Sequence, residues 1–167
     1  HGRFVHLYLN GNYWGQYHLR ERWSADMASS YFGGSKDDYE AVNANDNFRN
    51  DEDVYDGSGQ FWSETKHHLA RPNPFTNAAD HIDIANIVDF MLLWVSGNSE
   101  SEFRAFGSES RGIPFKFMIK DADGFLRNPG HSANHAGPYS VMSKMRTSGN
   151  PDYATLLADR IHKHFFN

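Results

Sequence analysis

Residues 83–96 constrain this chain more than any other stretch. Ile84, Ile87, Val88, Met91, Leu92 and Val95 recur at helical spacing. Phe90, Leu93 and Trp94 put further apolar surface on the remaining sides. A helix that is apolar nearly all round is packed inside a domain rather than laid on its surface. Asp83 is placed to cap its start, and Ser96-Gly97 ends it. A buried helix needs other elements to cover it, and 167 residues is one domain of ordinary size. No apolar run reaches the roughly 18–20 residues of a membrane span.

The rest of the chain offers the covering elements. Phe4–Leu9 alternates and is rich in strand formers. Asn10-Gly11-Asn12 is a turn signal, and Tyr13–Glu21 reads as the return strand, with Gly15 marking a bulge or close backbone approach. Ser24 is placed as an N-cap for a short helix through Met27 and Tyr31 that stops at Gly33-Gly34. Residues 43–60 read as a solvated loop or insertion. Phe61–Ala70 reads as a short helix ended by Arg71-Pro72-Asn73-Pro74. Ile113–Lys120 reads as a strand with Phe115, Phe117 and Ile119 on one face, and 127–138 as a Pro/Gly/Asn/His loop. Asn150-Pro151 opens a last helix whose stripe is Tyr153, Leu156, Leu157, Ile161 and Phe165.

Charge and composition exclude several functions. The net charge is −5 and no cluster of five or more Lys/Arg occurs, which argues against a uniformly basic nucleic-acid binder. There is no cysteine, so disulfides, thiolate catalysis and Cys-ligated zinc are excluded together. G-x-S-x-G, Walker and G-x-G-x-x-G patterns are missing. The chain opens on His-Gly-Arg without Met and runs straight into a strand, so it reads as a piece of a longer protein.

Four constellations carry potential chemistry. Asp121-x-Asp123-Gly124 sets two carboxylates at the end of a buried strand, which suits a hard cation such as Mg²⁺; the same residues also suit a polar turn. Gly97-Asn98-Ser99-Glu100-Ser101-Glu102-Phe103-Arg104 reads as a polar loop after a rigid helix, able to present a carboxylate base or simply to connect helix to strand. His131 and His135 have a zinc spacing, but Pro129, Gly130, Gly137 and Pro138 argue against the helix that spacing requires. A metal-dependent hydrolase built on them is therefore poorly supported. Asp46, Asp51, Glu52, Asp53 and Asp56 lack the spacing of an EF-hand loop and default to a solvated insertion, with loose Ca²⁺ binding as the alternative.

The hairpin Leu7-Tyr8-Leu9-Asn10-Gly11-Asn12-Tyr13-Trp14-Gly15-Gln16-Tyr17-His18-Leu19-Arg20-Glu21 resembles the LYLNGxYWGxYxLxE hallmark of the CotH kinase family, spore coat protein H and its relatives. Later segments agree in order. His81-Ile82-Asp83 through Leu92 resembles the family's hIDxxNLVDYML helix, and Gly97-Asn98 the start of its GNxDW loop. Phe115–Gly124 resembles its kWkfxxWDxD strand, and Ala158-Asp159-Arg160-Ile161 its fadRi segment.

The resemblance implies an α+β, atypical protein-kinase-like two-lobed fold, truncated here at both ends. Residues 1–42 would be the hairpin and helix of the small lobe, 43–79 an insertion or linker, and 80–167 the helical large lobe. It implies ATP with Mg²⁺ or another divalent cation, and phosphorylation of Ser or Thr on an extracytoplasmic or coat protein. Asp121 matches the metal-binding Asp, with Asp123 beside it; Asn98 matches the loop Asn; Glu21 matches the acidic residue closing the hairpin, in support of the nucleotide pocket. Two departures stand out. Glu100 takes the place of the Asp in GNxDW, one methylene longer, and Ser101 takes that of the Trp. Tyr39-Glu40-Ala41 stands where the family has LYK, with Lys36 nearby but out of register. Both favour the alternative implied function, a non-catalytic structural or adhesive module that binds nucleotide or Ca²⁺ only.

Overall fold

The computed structural model describes residues 2–44, 54–97, 103–119 and 137–167. Among them are two antiparallel sheets and six helices. The first sheet is the hairpin of β1 (Gly2–Leu9) and β2 (Asn12–Arg20). Asn10 (φ 50°) and Gly11 (φ 81°) both adopt positive φ, the requirement of a two-residue turn matched to strand twist. Leu7 pairs with Gly15 and Tyr8 with Tyr13, so Trp14 is the extra residue of a bulge beside the expected glycine. Rings pair across the ribbon, Phe4 stacking on His18 at 4.5 Å, while Phe4, Tyr8, Trp14 and Leu19 stay exposed.

α1 (Ala25–Phe32) starts where Ser24 Oγ accepts from Met27 N and ends at Gly33, as its sequence indicates. After a 3₁₀ turn at Lys36–Asp38 comes β3 (Glu40–Ala44). β4 (Val54–Asp56) pairs with it, inside the region expected to be solvated loop. α2 (Gln60–Ala70) follows, then the single turn α3 (Pro74–Asn77) and the long α4 (Ile84–Gly97). β5 (Phe103–Ser108) and β6 (Ile113–Ile119) form a second hairpin, so Phe103 and Arg104 belong to a strand and not to the polar loop in which the sequence reading placed them. α5 (Gly137–Thr147) was not foreseen, and α6 (Pro151–Ile161) begins at the expected Asn150 cap, whose Oδ1 accepts from Asp152 N at 2.8 Å. A π-helical turn, His162–Phe166, continues it.

The second sheet has the order β4-β3-β5-β6 and a core on each face. On one face Val42, Phe103, Ala105, Phe115 and Phe117 meet Phe61, Trp62 and Leu69 of α2 and Ile87, Val88, Phe90, Met91 and Trp94 of α4. Trp62 is fully buried and sets its ring edge-on to Phe115 at 5.0 Å. α4 is thus the buried helix its composition requires, except that Leu93 is 49% exposed. On the other face Ala41 and Phe106 pack on Ala25 and Ala28 of α1, with Tyr39, Tyr55 and Met118 around them. In α6 Tyr153 is buried, and Leu156 and Leu157 pack against the larger core. Phe165, expected on the same stripe, is 51% exposed because the π turn rotates it off the α-helical register.

Two devices compensate for the missing neighbours of short elements. Gly59, at the N-cap of α2, has no side chain to offer, and Glu40 of β3 supplies the cap instead. Its carboxylate, 8% exposed, accepts from Trp62 N at 2.8 Å, Phe61 N at 3.2 Å and Ser58 Oγ at 2.9 Å. Gly57 is required beside it, since a Cβ there would lie 2.7 Å from Glu40 Cγ at a φ of +86°. At the other end of α2, Lys144 Nζ from α5 donates to the carbonyls of Leu69 and Ala70, both at 3.1 Å.

The outer edge of β6 is covered by the approach to α4. Phe115 N donates to His81 O at 2.8 Å and Asp83 N donates to Phe115 O at 3.0 Å. Further along, the Asn86 side chain accepts from Phe117 N at 2.5 Å and donates to Phe117 O at 3.2 Å. These bonds use strand-edge groups that otherwise invite a foreign strand.

Candidate active site

The register of the second sheet fixes where the candidate site begins. Ala44 pairs with Phe103, and Phe103 pairs with Ile119, so three adjacent strands share one terminal row. β3 ends at that row, β5 starts from it and β6 ends at it. Asn98 and Glu100 precede β5 in the chain, and Asp121 and Asp123 follow β6. All four lie outside the described residues, as do His131 and His135 and, in the acidic stretch, Asp46, Asp51, Glu52 and Asp53. The described residues therefore place the strand ends from which these segments depart, on one edge of one sheet.

β6, whose last residue belongs to that row, is tied to α4. Asp83 Oδ1 accepts from Asn86 N at 2.9 Å to cap the helix, and its other oxygen forms an ion pair with Lys116 of β6. Burial works against ionisation of Asp83, but the hydrogen bonds from Lys116 and Asn86 outweigh it and hold the carboxyl below its ordinary range. One turn and a half further along, Asp89 receives both Arg160 of α6, in a bidentate pair, and His164 Nε2 at 3.0 Å. It too is held low, burial opposing and Arg160 and His164 favouring the anion. Three polar side chains of α4's first turns are thus committed to positioning, with Asp83 and Asn86 gripping β6 and Asp89 gripping α6.

Glu21 is described and lies just beyond β2, exposed. Tyr31 Oη of α1 donates to its two oxygens at 2.9 and 3.0 Å, and this raises the Tyr31 phenol. Glu21 thereby joins the end of the first hairpin to α1. Lys36 sits exposed on the 3₁₀ turn before β3. Glu40, at the position compared with the family's lysine, is occupied by the α2 cap.

One cationic group missed by sequence reasoning lies beside the terminal row. Arg104, next to Phe103 on β5, donates from Nε to Asn43 Oδ1 of β3 at 3.2 Å. Its Cζ lies 5.8 Å from the centroid of the Tyr55 ring, and that of Arg22 lies 6.0 Å from the same ring. Tyr55 Oη donates to Trp23 O, and burial pushes its phenol up against the opposing pull of Arg104 and Arg22. Neither arginine is marked out as a cation site by its local sequence; the sheet brings residues 43, 55 and 104 together, and the chain leaving β2 adds Arg22.

Among the described residues no three His, Cys, Asp or Glu side chains gather into a group able to hold a metal ion. No helix among them is long and apolar enough to cross a membrane. The family model described as CotH kinase protein matches residues 1–164 of the chain. No curated protein and no solved structure matches it.

Proposed function

The chain belongs to the CotH kinase protein family, and on that premise we propose that it transfers the terminal phosphoryl group of ATP to a Ser or Thr hydroxyl of another protein. In this reading residues 1–42 begin the small lobe and 80–167 carry the large lobe, while 43–79 supplies β4 and α2 to the sheet and core they share. The observation that carries it is the shared row Ala44–Phe103–Ile119, because the segments bearing Asn98, Glu100, Asp121 and Asp123 all attach there. Residues far apart in sequence would otherwise have no reason to serve one reaction.

Each residue has a role that fits its chemistry. Asp121 and Asp123 present hard carboxylate oxygens, a donor set that fits Mg²⁺ or a similar divalent cation. Such a cation, when bound, neutralises charge on the phosphates. Glu100 accepts the proton of the attacking hydroxyl or, with Asn98, orients it. Glu21 supports the nucleotide pocket from the hairpin side through its contact with Tyr31. Positioning and charge neutralisation supply the rate, and no covalent protein intermediate is required. The acceptor is an extracytoplasmic or coat protein in keeping with the family; no nucleic acid is involved.

A second reading, nucleotide or Ca²⁺ binding without turnover, is favoured by Glu40. Its carboxylate stands where the family's lysine is compared, and it is spent on capping α2. Thermal unfolding with ATP and Mg²⁺, read beside an assay for phosphoprotein product, separates the two readings. Stabilisation that needs both ligands and disappears in Asp121→Ala supports the site; stabilisation without phosphoprotein product favours binding alone; no stabilisation by either ligand removes both.

A further inference from the structure

Arg104 is half-buried and permanently charged, and its one hydrogen bond among the described residues goes to a neutral amide, Asn43 Oδ1 at 3.2 Å. Among the described residues no carboxylate pairs with this partly buried guanidinium, which leaves it able to take an anion. Asp56, the residue after Tyr55, makes no ion pair with it; its Oδ2 accepts from Ala25 N at 3.0 Å at the start of α1. The guanidinium carbon lies over the Tyr55 ring, 5.8 Å from its centroid, and the Asn43 bond occupies Nε. The remaining Nη edge is the part of arginine that matches two phosphate oxygens. Arg22 brings a second guanidinium to the same ring at 6.0 Å.

The geometry points to Arg104, assisted by Arg22, as a binding site for a polyphosphate anion, the phosphate tail of a nucleoside triphosphate. Naming the nucleotide as its source rests on the phosphoryl-transfer reading above. The site answers the gap on β3, where Glu40 replaces a cation: the positive charge comes from the adjacent strand, β5, one residue from the row at which the candidate carboxylate segments attach. Tyr55 and Asn43 fix the guanidinium before a ligand arrives, so little side-chain freedom is lost on binding.

The test is calorimetric titration of the full chain, without metal and at one ionic strength, using sodium tripolyphosphate in one arm and ATP in the other. Both should bind. Arg104→Gln should weaken both about tenfold, and Arg22→Gln should weaken them by less. Tripolyphosphate binding as tight as ATP binding identifies the phosphates as the recognised part; ATP binding without tripolyphosphate binding overturns the site. Unchanged affinity in folded Arg104→Gln, or lost stability with unchanged affinity, also overturns it and makes Arg104 an internal structural cation. If Arg104→Gln does not fold, Arg22→Gln and Asn43→Ala decide: unchanged tripolyphosphate affinity in both overturns the site. Phosphoryl transfer measured in parallel separates this inference from the parent reading. Transfer with Arg104-independent affinity leaves only the kinase; Arg104-dependent binding without transfer leaves only the anion site.

Discussion

Asn86 and Phe117 are joined by a two-way bond in which one side-chain amide does the work of a neighbouring strand. Phe117 N donates to Asn86 Oδ1 at 2.5 Å while Asn86 Nδ2 donates to Phe117 O at 3.2 Å. The helix that carries Asn86 is thereby locked in register with the strand that leads to Asp121. Replacing Asn86 by Ala removes both of these bonds from the backbone of a buried residue. The expected loss is about 2–6 kcal/mol, since each of the two lost bonds costs about 1–3 kcal/mol. Asn86→Asp keeps the acceptor and loses the donor, so its urea midpoint should fall between those of Ala and wild type.

Glu40→Lys introduces the cation that the family resemblance leads one to expect here, but it should unfold the protein rather than improve it. A cation would then face the N-terminal amides of α2 and the buried Trp62 N–H would lose its acceptor. The expected cost exceeds about 3 kcal/mol, against about 1 kcal/mol for Glu40→Gln, which keeps one acceptor oxygen. Equal thermal stability of Glu40→Lys and wild type would show that the cap contributes nothing.

The pH dependence of stability should have two steps of the same sign. His81 stacks on His68 at 4.0 Å, and burial followed by the neighbouring His68 lowers its pKa below the ordinary 6.5. The unfolded chain therefore binds the proton first, so stability falls as pH drops below about 6.5 and levels off beneath the lowered folded value. Asp83 and Asp89 are also held low, from 3.8 in the unfolded chain, so their stabilisation is complete above that value and is lost as pH falls through their folded values. Urea midpoints across pH 2–8 measure both steps, and His81→Phe should remove the upper one alone.

Glu100→Gln should lower phosphoryl transfer by about 10²-fold or more, the usual contribution of a positioned base. On the proposed function, Glu100→Asp, which shortens the side chain by one methylene, should raise it if reach limits transfer. The ratio of the two rates, measured on the same acceptor, checks the role of this carboxylate.

Local signals carried the elements that stabilise themselves. Asn10-Gly11 fixes a turn, Ser24, Asp83 and Asn150 cap helices by their own side chains, and α4 advertises its burial by composition. The elements that were missed depend on partners distant in sequence. β3 reads Glu-Ala-Val-Asn-Ala, poor in strand formers, and is held by pairing with β5 on one side and β4 on the other. The helix cap of α2 comes from Glu40, some twenty positions upstream, so no local signal in the sequence marks it. Arg104 was hidden for the same reason, because its neighbours Asn43 and Tyr55 become neighbours only once the sheet has formed. Of the candidate site itself, family motifs supplied Asn98, Glu100, Asp121 and Asp123, while strand register supplied the common edge.

The most direct measurement is incubation of the protein with γ-labelled ATP, Mg²⁺ and a protein acceptor, comparing wild type with Asp121→Asn. The account predicts label on Ser or Thr that requires Mg²⁺ and is lost in the variant while its fold is retained. Equal labelling by folded Asp121→Asn and wild type would contradict it.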